Sequence, residues 1–126
     1  MRVRRLLLAA LLFPLSLLTA CVAPPKYNWG NYDGTLYGYY KDPTRLDAHV
    51  TEMESIIRSS EQTNKKVAPG IHAEYGYYLM QNGKAGAAVT QFEKEKTNWP
   101  ESAQLMASMI RLAQAQPGKP LAAKDQ

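Results

Sequence analysis

The chain has 126 residues, with fifteen Lys or Arg against eleven Asp or Glu and a single cysteine. One cysteine excludes an intrachain disulfide, a cysteine-based zinc site and a thiol redox pair. Three of the basic residues fall within positions 1–20, so the remainder carries twelve basic and eleven acidic residues, a formal charge of +1. The basic patch that marks a phosphate-backbone site is therefore not expected, and neither is a nucleic-acid partner.

Arg2, Arg4 and Arg5 precede an apolar run from Leu6 to Leu18, broken only by Pro14 and Ser16. The run is shorter than the ~20 residues a spanning helix needs, and its order of basic, apolar and small residues is that of a secretory signal over residues 1–20. Leu18-Thr19-Ala20-Cys21 matches the bacterial lipobox. Cys21 is then the expected lipidation site, bearing diacylglycerol on the thiol and an acyl chain on the new amino terminus. Two or three chains, at ~0.8 kcal/mol per buried methylene, hold a protein stably in a leaflet. Val22 stands where an inner-membrane retention signal places Asp, so the expected location is the outer membrane, lipid-anchored, on the periplasmic face.

Residues 21–26 read as the lipidated terminus and an extended linker through Pro24 and Pro25. Residues 117–126, with Pro117, Gly118 and Pro120 and no apolar period, read as a disordered tail. The interval 27–116 is long enough for one small domain with one core.

That domain opens on an aromatic block, Tyr27 to Tyr40. Trp29, Tyr32, Leu36 and Tyr40 recur at steps of three and four, with Tyr37 beside them, which predicts one side of a short helix. Gly30, Gly34 and Gly38 each cost about 1 kcal/mol against alanine in a helix interior, so a turn and then a helix over 35–40 is expected. Asp42-Pro43 is a helix start. Beyond it, Leu46, Val50, Met53, Ile56 and Ile57 share a face, while Asp47, Glu54, Arg58 and Glu61 share a solvated one.

A third helix is predicted to open at Pro69, with Ile71, Tyr75, Tyr78 and Leu79 inward and Tyr77 outward, and to stop at Asn82-Gly83. The fourth carries Ala85, Ala88, Val89 and Phe92 inward and Lys94 and Lys96 outward, ending at Trp99-Pro100. The last, from Glu101, places Leu105, Met106, Met109, Ile110 and Ala113 on one side. No stretch sustains a period of two. The expected class is all-α, with antiparallel neighbours set by short connections.

Gly76, Ala88, Phe92 and Pro100 have the spacing of a tetratricopeptide (TPR) repeat: a small residue, alanine twelve positions on, an aromatic four further, and proline eight beyond. In that pattern Gly76 and Ala88 allow two helices to approach closely, Phe92 fills the space beneath them, and Pro100 ends the second helix. Other repeat positions depart: His72 and Tyr75 stand for tryptophan and leucine, Leu79 for tyrosine and Glu95 for alanine. A TPR-like hairpin within a small right-handed helical stack is the expected architecture, covered on either side by the helix after Pro43 and the last helix.

"WGNYDGTLYGYYKDP", "VAPGIHAEYGYYLMQNGKAGAAVTQFEKEKTNWPES" and the lipobox together resemble an uncharacterised family of small bacterial outer-membrane lipoproteins, catalogued as a domain of unknown function. The resemblance runs from about Tyr27 to Met109. It implies no activity and carries over no catalytic residue. Members of that family are often encoded beside a lipoprotein resembling the curli-secretion channel protein, which implies other envelope lipoproteins as partners.

Candidate chemistry is sparse. His72 and Glu74 are two apart on a helix and do not face each other; His49 lies elsewhere; no metal-ligand spacing joins the histidines. Glu93 and Glu95, alternating with Lys94 and Lys96, read as surface charge patterning. No enzyme activity, metal or cofactor is expected beyond the lipid on Cys21.

Two functions fit. One is an adaptor that assembles or stabilises an outer-membrane protein complex, with secretion among its candidate roles and Trp29, Tyr32, Tyr37, Tyr40 and Tyr77 as candidate partner-binding aromatics. The other is a structural or ligand-binding lipoprotein that contacts peptidoglycan or a glycan through the same rings. A bland role for the opening block, capping the open end of the stack, competes with both.

Overall fold

The computed structural model describes residues 26–115. The signal segment, Cys21 and the tail from 117 lie outside the described residues. The all-α expectation holds: α1 (Tyr32–Lys41), α2 (Leu46–Gln62), α3 (Ile71–Gln81), α4 (Ala85–Asn98) and α5 (Ala103–Ala115) follow in order, with 3-10 turns at Pro43–Arg45 and Pro100–Ser102. Among the described residues there is no strand. Successive helices pack as neighbours, α1 on α2, α2 on α3, α3 on α4 and α4 on α5.

Local signals account for most boundaries. Asp42 accepts the Thr44 backbone N–H at 3.0 Å and the Thr44 hydroxyl at 2.7 Å, capping the turn that leads into α2. These two hydrogen bonds hold the Asp42 carboxyl below its ordinary range. The end of α3 is a Schellman closure: the Lys84 N–H reaches Leu79 O at 2.9 Å and the Gly83 N–H reaches Met80 O at 3.1 Å. Gly83, at φ 74°, supplies the left-handed residue this closure requires. The end of α2 repeats it with Asn64 at φ 51°, whose follower Lys65 donates to Ser60 O at 2.8 Å. Asn64 thus acts as a helix stop.

Three expectations need correction. Helix α1 begins at Tyr32, three residues before the expected start, because the Tyr32 and Thr35 N–H groups bond back to Trp29 O and Asn31 O. Gly34 and Gly38 sit inside it, and packing against α2 offsets their low propensity. Helix α3 starts at Ile71, with Gly70 at φ 91° as its N-cap, so Pro69 precedes the helix. On α5, Leu105 is 61% exposed instead of inward, while Met106, Ile110 and Ala113 are buried.

Two hydrophobic clusters fill the interior. The first joins Val50, Met53, Ile56 and Ile57 of α2 with Val67, Ala68 and Ile71. The second joins Leu79, Met80, Ala88, Phe92, Met106, Ile110 and Ala113. Tyr75 and Tyr78 of α3 pack against both.

The α3–α4 contact rests on Gly76. A Cβ there would come within 2.7 Å of Phe92 Cε1, so the phenyl ring occupies the space that a side chain would claim. Ala88 and Phe92 are completely buried. Pro100 opens the turn between α4 and α5.

Candidate functional site: a buried polar relay and the exposed aromatics

Helix α1 is fixed by side-chain hydrogen bonds that the sequence did not announce. His49, 1% exposed on α2, is bonded at both ring nitrogens: Nδ1 lies 2.9 Å from the Thr35 hydroxyl of α1, and Nε2 lies 2.9 Å from Glu74 Oε1 of α3. The other carboxylate oxygen of Glu74 accepts the Tyr32 hydroxyl at 2.5 Å. A carboxylate only accepts, so Nε2 carries a hydrogen in this network. Tyr32 also packs its ring on His49 at 5.1 Å between centroids, and the Tyr39 ring stacks on the same imidazole at 6.3 Å. Burial, then the Glu74 carboxylate, pushes the Tyr32 phenol far above its ordinary range.

A second phenol–carboxylate contact joins the same helices, Tyr75 of α3 donating to Glu54 of α2 at 2.6 Å. Burial and this carboxylate push the Tyr75 phenol up to about 12. Glu54 therefore faces a neighbouring helix, which corrects its expected place on a solvated face.

Thr35, His49 and Glu74 have the order of a nucleophile, a base and an orienting acid. The Thr35 hydroxyl, however, also lies 3.0 Å from Tyr32 O, a carbonyl of its own helix. Several clefts among the described residues open elsewhere, two of them beside polar or aromatic side chains. One is lined by Glu61, Lys65, Lys66, His72, Lys94 and Asn98, and the other by Tyr27, Trp29, Gly30, Ser59, Thr63 and Lys65. The geometric effect of the relay is to clamp α1 across α2 and α3.

The two histidines differ. His72 is also 1% exposed, but its Nδ1 meets Gln91 Oε1 at 2.7 Å. Burial holds its pKa below the ordinary imidazole value. His72 and Glu74 do not pair; Glu74 serves His49 instead. Among the described residues no group of three or more His, Cys, Asp or Glu could hold a metal ion.

Glu95 corrects the reading of its segment as surface charge. It is 2% exposed, and its Oε1 accepts the Gly70 N–H at 2.7 Å, at the start of α3. A carboxylate at a helix N-terminus opposes the positive end of the macrodipole. Glu93 and Lys96 do pair at the surface, at 3.2 Å. Lys94 reaches Glu61 at 2.6 Å, tying α4 to α2. Lys66 lies 4.0 Å over the Trp99 ring, whose edge meets Tyr27 at 5.6 Å between centroids.

The candidate aromatics separate into inward and outward members. The expected single side of α1 is corrected: Tyr32, Thr35, Gly38 and Tyr39 turn toward the domain, whereas Leu36, Tyr37 and Tyr40 turn to solvent. Tyr37 is 63% and Tyr40 79% exposed, and Trp29, before the helix, is 41% exposed. Tyr77 stands outward on α3 at 44%. Leu105 and Leu112, seven residues apart on α5, add apolar surface on the opposite end of the chain.

The structure defines a small all-α domain, a stack of antiparallel helices with a hydrogen-bonded polar cluster joining α1, α2 and α3 and with several large apolar side chains facing outward. The chain belongs to the family described as a domain of unknown function, DUF4810, whose model matches residues 26–109. No curated protein and no solved structure matches the chain. The matched span takes in α1 through most of α5.

Proposed function

We propose that this protein is a lipid-anchored adaptor on the periplasmic face of the bacterial outer membrane, where it assembles or stabilises a complex of envelope proteins. The observation that carries the reading is the set of exposed large apolar side chains that α3 and α5 present on a rigidly clamped helical scaffold: Tyr77, Leu105 and Leu112. Isolated exposed apolar residues are ordinary, but Leu105 and Leu112 share one face of α5, and exposed apolar surface gathered on a helix face suits an interaction surface. Helical-repeat scaffolds use such faces to hold other chains. The lipobox at Cys21 supplies the anchor.

Two measurements test this. Cys21→Ser should release the protein from membranes or block its processing; full retention defeats the anchor. A tagged chain drawn from native membranes should bring one other envelope protein in stoichiometric amount, and photoreactive residues at Tyr77 and Leu105 should crosslink to it. Recovery of bulk lipoproteins alone defeats the adaptor.

A second reading is favoured by the cleft of Tyr27, Trp29, Ser59, Thr63 and Lys65, where aromatic rings lie beside hydroxyl and ammonium groups. This composition suits a sugar ring, so the alternative is a lipoprotein that contacts peptidoglycan or another glycan. Sedimentation with purified sacculi separates the two readings: the adaptor stays in solution.

A further inference from the structure

The outward side of α1 has an unusual composition for a surface helix. Leu36 and Tyr40 are one turn apart, Tyr37 lies beside them, and their exposures are 37%, 79% and 63%. The inward side is already occupied by the relay and by Gly38, whose position abuts the Arg45 guanidinium. The charged residues flanking the exposed strip are Asp33 at the start of the helix and Lys41 at its end. The Lys41 ammonium lies 5.5 Å from the Tyr37 ring centroid.

Chain length restricts what this strip can meet. The domain is attached at Lys26 and Tyr27, because the Tyr27 ring packs on Trp99. Five peptide steps separate Lys26 from Cys21, which span at most ~18 Å even when fully extended. A domain of this size has a radius of gyration of ~12 Å, so a lipid on Cys21 holds it against the bilayer instead of suspending it at a distance. Helix α1 begins six residues after the attachment point and runs along α2 away from it, from Gly30 beside Ile56 to Gly38 beside Arg45; its ten residues span only ~15 Å, so a domain lying on its side at the leaflet brings this helix down together with the attachment point.

Resting on the anchor proposed above, we infer that the outward face of α1 is a membrane-contact surface: Leu36, Tyr37 and Tyr40 insert into the headgroup–acyl boundary of the leaflet that holds Cys21. Tyrosine suits that depth because its ring is apolar while its hydroxyl remains hydrated, the property that concentrates Tyr and Trp at membrane interfaces. Lys41 then lies at headgroup level, where anionic phosphates meet its ammonium. The contact gives the anchored domain one orientation, with α1 down and the α3 and α5 surfaces turned to the periplasm. The aromatic block therefore has two uses, Tyr32 for the clamp and its outward neighbours for lipid.

The experiment uses the full, lipidated chain reconstituted in vesicles of phosphatidylethanolamine and phosphatidylglycerol that contain a brominated lipid. Tyr40→Trp places a reporter on the proposed face, and Leu105→Trp places one on α5 at comparable exposure. Insertion of a side chain ~5–10 Å into the boundary should quench the Tyr40→Trp reporter at least about twofold more than the Leu105→Trp reporter, each corrected for the native tryptophans. Equal quenching in a chain that floats with the vesicles overturns the membrane face and leaves the anchor standing. A chain that fails to float overturns both. A photoreactive group at Tyr40 that crosslinks to one protein in cells, with no lipid adduct, also overturns the membrane face.

Discussion

His49 Nε2 and Glu74 Oε1 are 2.9 Å apart, joining α2 to α3 across twenty-five residues of chain. Through its second oxygen the same carboxylate holds Tyr32 of α1, so one acidic group serves three helices. Such a group has few neutral substitutes, because an amide offers only one acceptor oxygen and directs hydrogens toward the other donor.

Glu74→Gln should therefore destabilise the fold by about 1–2 kcal/mol, near the lower end for hydrogen bonds to charged groups because Glu74 is partly exposed. Urea unfolding measures the total. Hydrogen exchange locates it: the amides of α1 should lose protection before those of α4. Loss of equal size in both helices would show that the relay does not clamp α1.

Gly76→Ala places a methyl group where Phe92 stands and should cost about 1–3 kcal/mol by overpacking. Phe92→Leu in the same chain should recover part of that loss, since it withdraws the atoms that collide. A double-mutant cycle by thermal or urea unfolding yields the coupling, and strict additivity would mean that the two residues do not share the space.

His72 should make the protein less stable as pH falls. Its folded-state pKa is held below the ordinary value chiefly by burial, with Lys94 acting in the same direction and the Gln91 hydrogen bond, Glu95 and Glu61 opposing. Below pH ~6.5 the unfolded chain takes up a proton that the folded chain does not, so the contribution is complete above that pH and is lost on further acidification. His72→Gln should flatten the melting temperature between pH 7.5 and 5. A slope identical to that of the unchanged chain would assign the acid sensitivity to other groups.

The sequence and the structure agree best where apolar residues repeat against a polar background. Val50, Met53, Ile56 and Ile57 show helix α2 and its inner face without ambiguity, and the Asn82-Gly83 stop shows the end of α3. Helix α1 was legible as a helix but not in its orientation. Aromatic residues lie all around it, so periodicity could not choose a side, and the choice was made by Thr35 on His49 and by Gly38 beneath Arg45.

Glu95 was missed for a related reason. Between Lys94 and Lys96 it has the pattern of a solvated stretch, and the backbone N–H that holds it belongs to Gly70, twenty-five residues earlier. The relay was hidden in the same way: His49 and Glu74 each look unremarkable in their own helix. Packing brings them together, and no local rule indicates it. Of the candidate aromatics, Tyr77 was separable from Tyr75 and Tyr78 by helical position alone, whereas Tyr32 needed the acceptor on α3 to be assigned inward.

Tyr75 and Tyr78 each pack against both hydrophobic clusters. The amino-terminal half and the carboxy-terminal half consequently share a wall, and peeling α1 and α2 away would wet one side of the rings that line the other core. Neither half is a free-standing foldon. A protease that nicks the link between α2 and α3 attacks a cooperative whole, and a fragment holding either half alone would expose the shared wall to water.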